Sequence, residues 1–191
     1  MIEISIYGRG GQGAVTAAQI LAEAAFLQDY WAQTFPKFGG ERRGAPVTAY
    51  VRYDHDPIPI RSNVYAPDVV MVMDFNLFKM LNPLDDLKSG GMAVLNYPDQ
   101  GPELPLELTE KAGRLYTVDA TAIAHDIYGR TTIPITNVII LGAYCAAQSE
   151  ISLESVFKAL PSYFSEGKLE PNRRAAEMGF QRLRGLTWLN E

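Results

Sequence analysis

With 191 residues, 47% hydrophobic and 20% charged, the chain has the make-up of one average globular domain, residues 1–191. Its net charge of −5 excludes a general electrostatic attraction to nucleic acid or to an acidic membrane surface. No apolar stretch approaches the ~20 residues of a membrane span, and Met1-Ile2-Glu3-Ile4 lacks the basic flank and apolar core of a signal peptide; a cytoplasmic location is expected.

The opening Ile2-Glu3-Ile4-Ser5-Ile6-Tyr7 alternates residue types and is β-branched, which predicts a strand, ended by a glycine cluster from Gly8 to Gly13. From Ala14 to Gln28 the chain turns Ala/Leu-rich, with Val15, Ala18, Leu21, Ala22 and Ala25 on one helical face. A short strand is expected at Tyr30–Thr34, then a loop from Phe35 to Pro46, then a strand at Val47–Tyr53 and a turn at Asp54-His55-Asp56-Pro57. The run Val69-Val70-Met71-Val72-Met73 reads as a central strand covered on both faces. Phe75–Leu81 predicts a short helix stopped near Pro83, and Met92–Asn96 and Leu115–Val118 two more strands. Between them, Pro98–Pro105 is a proline-rich surface loop and no domain boundary. A helix at Thr121–Tyr128 should stop at Gly129 in an αL cap. The last third is helical, with helices expected at Asn137–Gln148, from an N-cap at Ser152 to Phe164, and from Pro171 or Asn172 to Leu183. The fold class is α/β: a Rossmann-like open, mostly parallel sheet of about six strands with helices on both faces and a helical C-terminal third.

Gly8-Arg9-Gly10-Gly11-Gln12-Gly13 fits the G-x-G-x-x-G spacing between a strand and a helix. Glycines there let the backbone come close to a phosphate, and free N–H groups at a helix start favour an anion. As an NAD or FAD fingerprint it is incomplete. An acid should end the second strand roughly twenty residues on, and Trp31-Ala32-Gln33-Thr34-Phe35 has none. The competing reading is that the glycines serve only a tight turn and close helix–sheet packing.

Glu41, Arg42 and Arg43 lie between glycines in Phe38-Gly39-Gly40-Glu41-Arg42-Arg43-Gly44-Ala45-Pro46. Arginine offers a planar donor fork for phosphate or carboxylate, and Glu41 can hold a neighbouring arginine in place. A solvated Glu–Arg surface pair fits the spacing equally well. Gly8–Gly13 should sit at the C-terminal edge of the sheet, with the loop from Gly39 to Pro46 near it, and Asn137, at a helix start, is a candidate for the same rim or a plain N-cap. The single cysteine, Cys145, excludes an internal disulfide and any cluster held by several thiolates of this chain; its apolar surroundings mark a buried structural thiol. His55 and His125 show no metal-ligand spacing and read as surface histidines.

The glycine loop, the segment Phe35-Pro36-Lys37-Phe38-Gly39-Gly40-Glu41-Arg42-Arg43-Gly44-Ala45-Pro46, and Thr132-Ile133-Pro134-Ile135-Thr136-Asn137 followed by Leu141-Gly142-Ala143 together resemble the γ subunit of pyruvate:ferredoxin oxidoreductase and its 2-oxoacid relatives. The blocks occur in the family's order and span about residues 2–180. The Arg42-Arg43-Gly44-Ala45-Pro46 form is nearer to the pyruvate and branched-chain members than to the 2-oxoglutarate members. The resemblance implies a share in a multi-subunit enzyme that decarboxylates a 2-oxoacid, passes two electrons to ferredoxin and forms an acyl-CoA. It places thiamine diphosphate and the [4Fe–4S] clusters on alpha-, beta- and delta-type partner subunits. It implies no catalytic residue, no metal and no cofactor of this chain's own, with coenzyme A at its surface. On that reading the anion site comprises Gly8, Gly10, Gly11, Gln12, Gly13, Glu41, Arg42, Arg43 and Asn137. Two other readings are a pure assembly subunit with no ligand, and a free-standing nucleotide-binding oxidoreductase.

Overall fold

The computed structural model describes residues 1–37 and 44–186. Strand β1 (Ile2–Arg9) leads through the glycine loop into helix α1 (Ala14–Phe26), and β2 (Trp31–Lys37) and β3 (Pro46–Asp54) pair as an antiparallel hairpin. β4 (Val69–Val72), a 3₁₀ turn at Phe75–Lys79, β5 (Met92–Asn96), α2 (Leu106–Lys111), β6 (Arg114–Val118) and α3 (Ala120–Tyr128) follow. The chain closes with α4 (Asn137–Ala147), α5 (Leu153–Ala159), a 3₁₀ turn at Leu160–Ser162, α6 (Glu166–Gln181) and β7 (Arg184–Leu186).

The strands form one seven-stranded sheet in the order β2-β3-β1-β4-β5-β6-β7. β1, β4, β5 and β6 are parallel neighbours, while β1–β3, β2–β3 and β6–β7 are antiparallel. The sheet is therefore mixed: five strands run one way, but half of the neighbouring pairs are antiparallel. The difference from the expected mostly parallel sheet of about six strands has two sources. The β2–β3 hairpin folds back so that β3, not β2, lies beside β1, with Gly8 opposite Val47 and Arg9 opposite Pro46. The three-residue β7 is too short to leave a periodic signal.

The faces are covered unequally. Ile4, Ile6, Val51, Tyr53, Met71 and Val94 pack in one large core with α1, α3, α4, α5 and α6. The opposite face presents Val70, Val72, Ala93, Leu95 and Leu115, and it is covered by Leu77, Leu84 and the short α2. On that side Arg52 of β3 is buried to 1% exposure, its Nε donating to Glu3 Oε1 (2.8 Å) and its terminal nitrogens to the Ser62 and Asn63 carbonyls (2.7 and 3.0 Å). Such a buried guanidinium is tolerable only because its donors are met; in return it ties the segment after β3 across the sheet.

Local chemistry sets the helix ends. The Asp119 carboxylate caps α3 by accepting from Ala122 N–H at 2.9 Å, and Ser152 Oγ caps α5 through Ser155 N–H at 3.1 Å. Gly129 has φ +83° but ψ 164°, so the chain leaves α3 through an extended glycine instead of the expected αL cap. α6 begins five residues before Pro171, which lies inside it. So near the start, proline forfeits only its own bond to the Gly167 carbonyl.

Candidate functional site: the tips of the parallel strands

β1, β4, β5 and β6 all end at one edge of the sheet, and the residues leaving them surround a cavity of about 530 Å³. Arg9 and Gln12 come from β1 and its loop, Asp74, Phe75 and Asn76 from the end of β4, Asn96 and Pro98 from β5, and Asp119, Thr121 and His125 from β6 and α3. Thr131, Thr132 and Pro134 close the side. The chain turns to β3 and β2 on one side of β1 and to β4–β6 on the other, so the cavity lies where strand order reverses, the usual ligand position in open α/β sheets.

Most of the glycine loop is explained by packing. A Cβ on Gly8 would lie 3.1 Å from Ala14 Cβ and 3.3 Å from Met73 Sδ, and Gly13, at φ +86°, would push one to 2.6 Å from Asn137 Nδ2. Gln12 is buried and closes the turn on itself: its Oε1 accepts from Arg9 N–H (2.8 Å) and its own N–H donates to Arg9 O (2.9 Å). Gly10 faces outward from this turn: its N–H donates to Ala45 O (2.9 Å) and its carbonyl accepts from Gly44 N–H (3.0 Å). Gly44 directly follows Arg43, so the exit of the arginine segment is clamped to the glycine loop. Glu41, Arg42 and Arg43 themselves lie outside the described residues.

Asn137 is buried as the first residue of α4, packed on Gly13, with Oδ1 accepting from Val138 N–H at 2.9 Å. The helix cap is Thr136, one residue earlier, and Asn137 does not line the cavity. Of the residues expected at the rim, then, Gln12 alone among the described ones reaches the cavity. The 13-residue α1 starts at this loop with no acidic side chain in its first turn, so its positive end is not neutralised from within.

The cavity wall is a continuous polar network. Asn96 donates to Met73 O (2.8 Å) and Thr121 Oγ1 (2.9 Å) and accepts from Thr121 N–H (3.2 Å), fixing the tips of β4, β5 and α3 together. Asp119 spends both oxygens on the backbone N–H groups of Ala122 and Asp99. Asp74 accepts from Asn76 through one oxygen, while its other lies 3.0 Å from Arg9 Nε, an ion pair without hydrogen-bond alignment. His125 is not the expected surface histidine: its Nε2 is buried beside the cavity with no partner among the described residues. The signal that marks these residues in sequence is a polar side chain directly after an apolar run, as in Asp74, Asn96 and Asp119. Elsewhere, burial pushes the Cys145 thiol up to about 12, which makes it a poor nucleophile. No cluster of metal-ligating side chains occurs among the described residues, and no helix there is long and apolar enough to cross a membrane.

Residues 3–182 match the family described as Pyruvate ferredoxin/flavodoxin oxidoreductase. The chain belongs to this family. The Thermococcus kodakarensis pyruvate/ketoisovalerate oxidoreductases common subunit gamma is 48% identical over 182 residues, covering 95% of this chain and 97% of that protein. The structure of pyruvate oxidoreductase subunit PORC from Thermotoga maritima superposes with a TM-score of 0.78 at 30% identity, covering 97% and 98% of the two chains. The fold also recurs, at 22% identity and a TM-score of 0.75, in 2-oxoglutarate:ferredoxin oxidoreductase from Magnetococcus marinus, solved with 2-oxoglutarate, coenzyme A and succinyl-CoA. There it covers 93% of this chain and 30% of that one. The protein is a gamma-type subunit of a pyruvate/2-oxoacid:ferredoxin oxidoreductase. In this subunit the strand beside β1 is the antiparallel β3, which brings Pro46 and Val47 to the place where a dinucleotide enzyme carries its ribose-binding acid.

Proposed function

We propose that this gamma subunit, a single domain over residues 1–191, helps to hold coenzyme A for the complex. The reaction on this reading is oxidative decarboxylation of a 2-oxoacid, with pyruvate or a branched-chain 2-oxoacid as substrate, to an acyl-CoA. Thiamine diphosphate and the [4Fe–4S] clusters reside on alpha-, beta- and delta-type subunits, and ferredoxin takes the electrons. The gamma subunit supplies no reacting group; it binds and orients a phosphate of coenzyme A through the N–H groups that the glycine loop and the start of α1 leave unspent and through the Arg42 and Arg43 forks. The observation that carries this reading is the clamp of Gly10 on Gly44 and Ala45, which joins the exit of the arginine segment to the start of α1 at the strand tips.

The assembly reading has one observation in its favour: Gly8, Gln12 and Gly13 are accounted for by packing alone. Replacing Arg42 and Arg43 together with alanine separates the two. Phosphate contact predicts an intact complex whose KM for coenzyme A rises about ten- to hundredfold, the worth of a lost charge-assisted hydrogen bond of roughly 1.5–3 kcal/mol. Docking predicts weakened co-purification and normal coenzyme A kinetics in whatever complex survives. An intact complex with unchanged kinetics would remove both.

A further inference from the structure

We infer that the cavity at the tips of β1, β4, β5 and β6 is a nucleoside pocket, taking a purine-type base and its ribose. Two buried side-chain atoms of the described residues lack a hydrogen-bond partner, His125 Nε2 outright and Arg9 Nε with only the misaligned ion pair to Asp74, and both belong to residues lining this one cavity. Buried polar atoms are almost always satisfied, so two unmade hydrogen bonds on residues of one cavity call for an occupant with hydrogen-bonding groups of its own.

The charges say which kind. Two carboxylates, Asp74 and Asp119, against the one guanidinium of Arg9 leave the lining short of the positive charge that a phosphate needs. A neutral planar ring needs none. Phe75, held edge-on against Tyr97 at 4.6 Å, and the rings of Pro98 and Pro134 provide apolar walls for it. A purine carries donors and acceptors around its rim: ring nitrogens match the Arg9 Nε–H, a donor or an acceptor matches His125 Nε2 according to its tautomer, and an exocyclic amine or ribose hydroxyl matches the Asp74 carboxylate. The volume of about 530 Å³ is within the usual range for a small-molecule site. Arg9 and Gln12 belong to both the cavity and the glycine loop, so a base held inside directs its phosphate outward to the start of α1.

The pocket rests on the coenzyme A reading only for the source of the nucleoside. Uncharged adenosine is the probe, added to the assembled complex in equilibrium dialysis and as an inhibitor in the coenzyme A-dependent reaction. Saturable binding is expected, weakened about tenfold or more by His125→Gln and by Thr132→Arg, and untouched by the Arg42→Ala/Arg43→Ala pair. Thr132 is exposed at the mouth, so that variant remains informative if His125→Gln does not assemble. No saturable binding to the wild-type complex, or binding indifferent to both pocket variants, overturns the inference. Pocket-dependent binding that coenzyme A displaces identifies coenzyme A as the source; pocket-dependent binding that it does not displace assigns the pocket to a free adenine nucleotide. If the double arginine variant keeps a normal KM while adenosine binding still depends on His125, the phosphate contact fails and the pocket stands.

Discussion

Gly13 and Asn137 share one van der Waals boundary: a methyl group on the glycine would lie 2.6 Å from the asparagine Nδ2. The glycine loop is thereby seated on the first turn of α4, far away in sequence. Gly13→Ala combines this overlap with a φ of +86° that alanine tolerates poorly, and should destabilise the chain by about 2–4 kcal/mol. Asn137→Ala in the same chain should return the part due to overlap and leave the backbone strain. A double variant that simply adds the two losses in urea unfolding would show that the boundary is not where it is drawn here.

The contact between α4 and α6 is tighter still, and it makes a sharper test. A Cβ on Gly142 would meet Ala176 O at 1.8 Å, and one on Gly179 would meet Ile139 O at 2.0 Å; both obstacles are backbone atoms that no rotamer change removes. Gly142→Ala and Gly179→Ala should each prevent stable folding, seen as insoluble protein or a lost cooperative transition. Gly167, at the start of α6, has open space around its Cβ position. Gly167→Ala should leave the fold intact and raise stability by up to about 1 kcal/mol.

Arg52 predicts a local loss as well as a global one. Arg52→Met removes three donors and leaves Glu3 and two carbonyls short of a partner, at about 3–5 kcal/mol for a broken buried pair. The segment carrying exposed Arg61 is tied down through Ser62 and Asn63, so trypsin should cut after Arg61 sooner in the variant than in the wild type under native conditions. Equal cutting rates would mean that the tie is not what orders this segment.

The strands were legible wherever the period of the chain was strong. Ile2–Tyr7 alternates, and Val69–Met73 and Met92–Asn96 are continuous apolar runs, and all three were located to within about two residues. Pairing was not legible, because nothing in the composition of β2 says that β3 will intervene between it and β1; that depends on a hairpin whose register is set by the whole sheet. α2 escaped notice because its six residues are too few for a helical period. The glycine loop was placed correctly at the strand tips, yet the cavity beside it is built from single polar residues, Asp74, Asn96, Asp119 and His125, each on a different element. Their convergence is a property of the fold and leaves no spacing to read.

Alkaline pH should weaken the fold in a way that Cys145 begins. Burial lifts its thiol from the ordinary 9.0 to about 12, and burial likewise raises the hydroxyls of Tyr53 and Tyr144, whose oxygens are 2.7 Å apart, above the ordinary 10.0. The folded chain therefore keeps protons that the unfolded chain gives up. The unfolded state binds fewer protons in this window, so stability is full below about pH 9 and falls as pH rises toward the folded values. Between about pH 8 and 10 the thiol alone should remove on the order of 1 kcal/mol, since one pH unit above its unfolded value is worth roughly that much. Cys145→Ala has no thiol to lose. Its stability relative to the wild type, from urea midpoints under reducing conditions, should improve by about that amount over the same interval, and only the tyrosine-driven decline should remain at higher pH. A gap between the two proteins that stays constant from pH 8 to 10 would mean that Cys145 ionises as freely in the folded chain as in the unfolded one, and that the thiol is not sealed in the core.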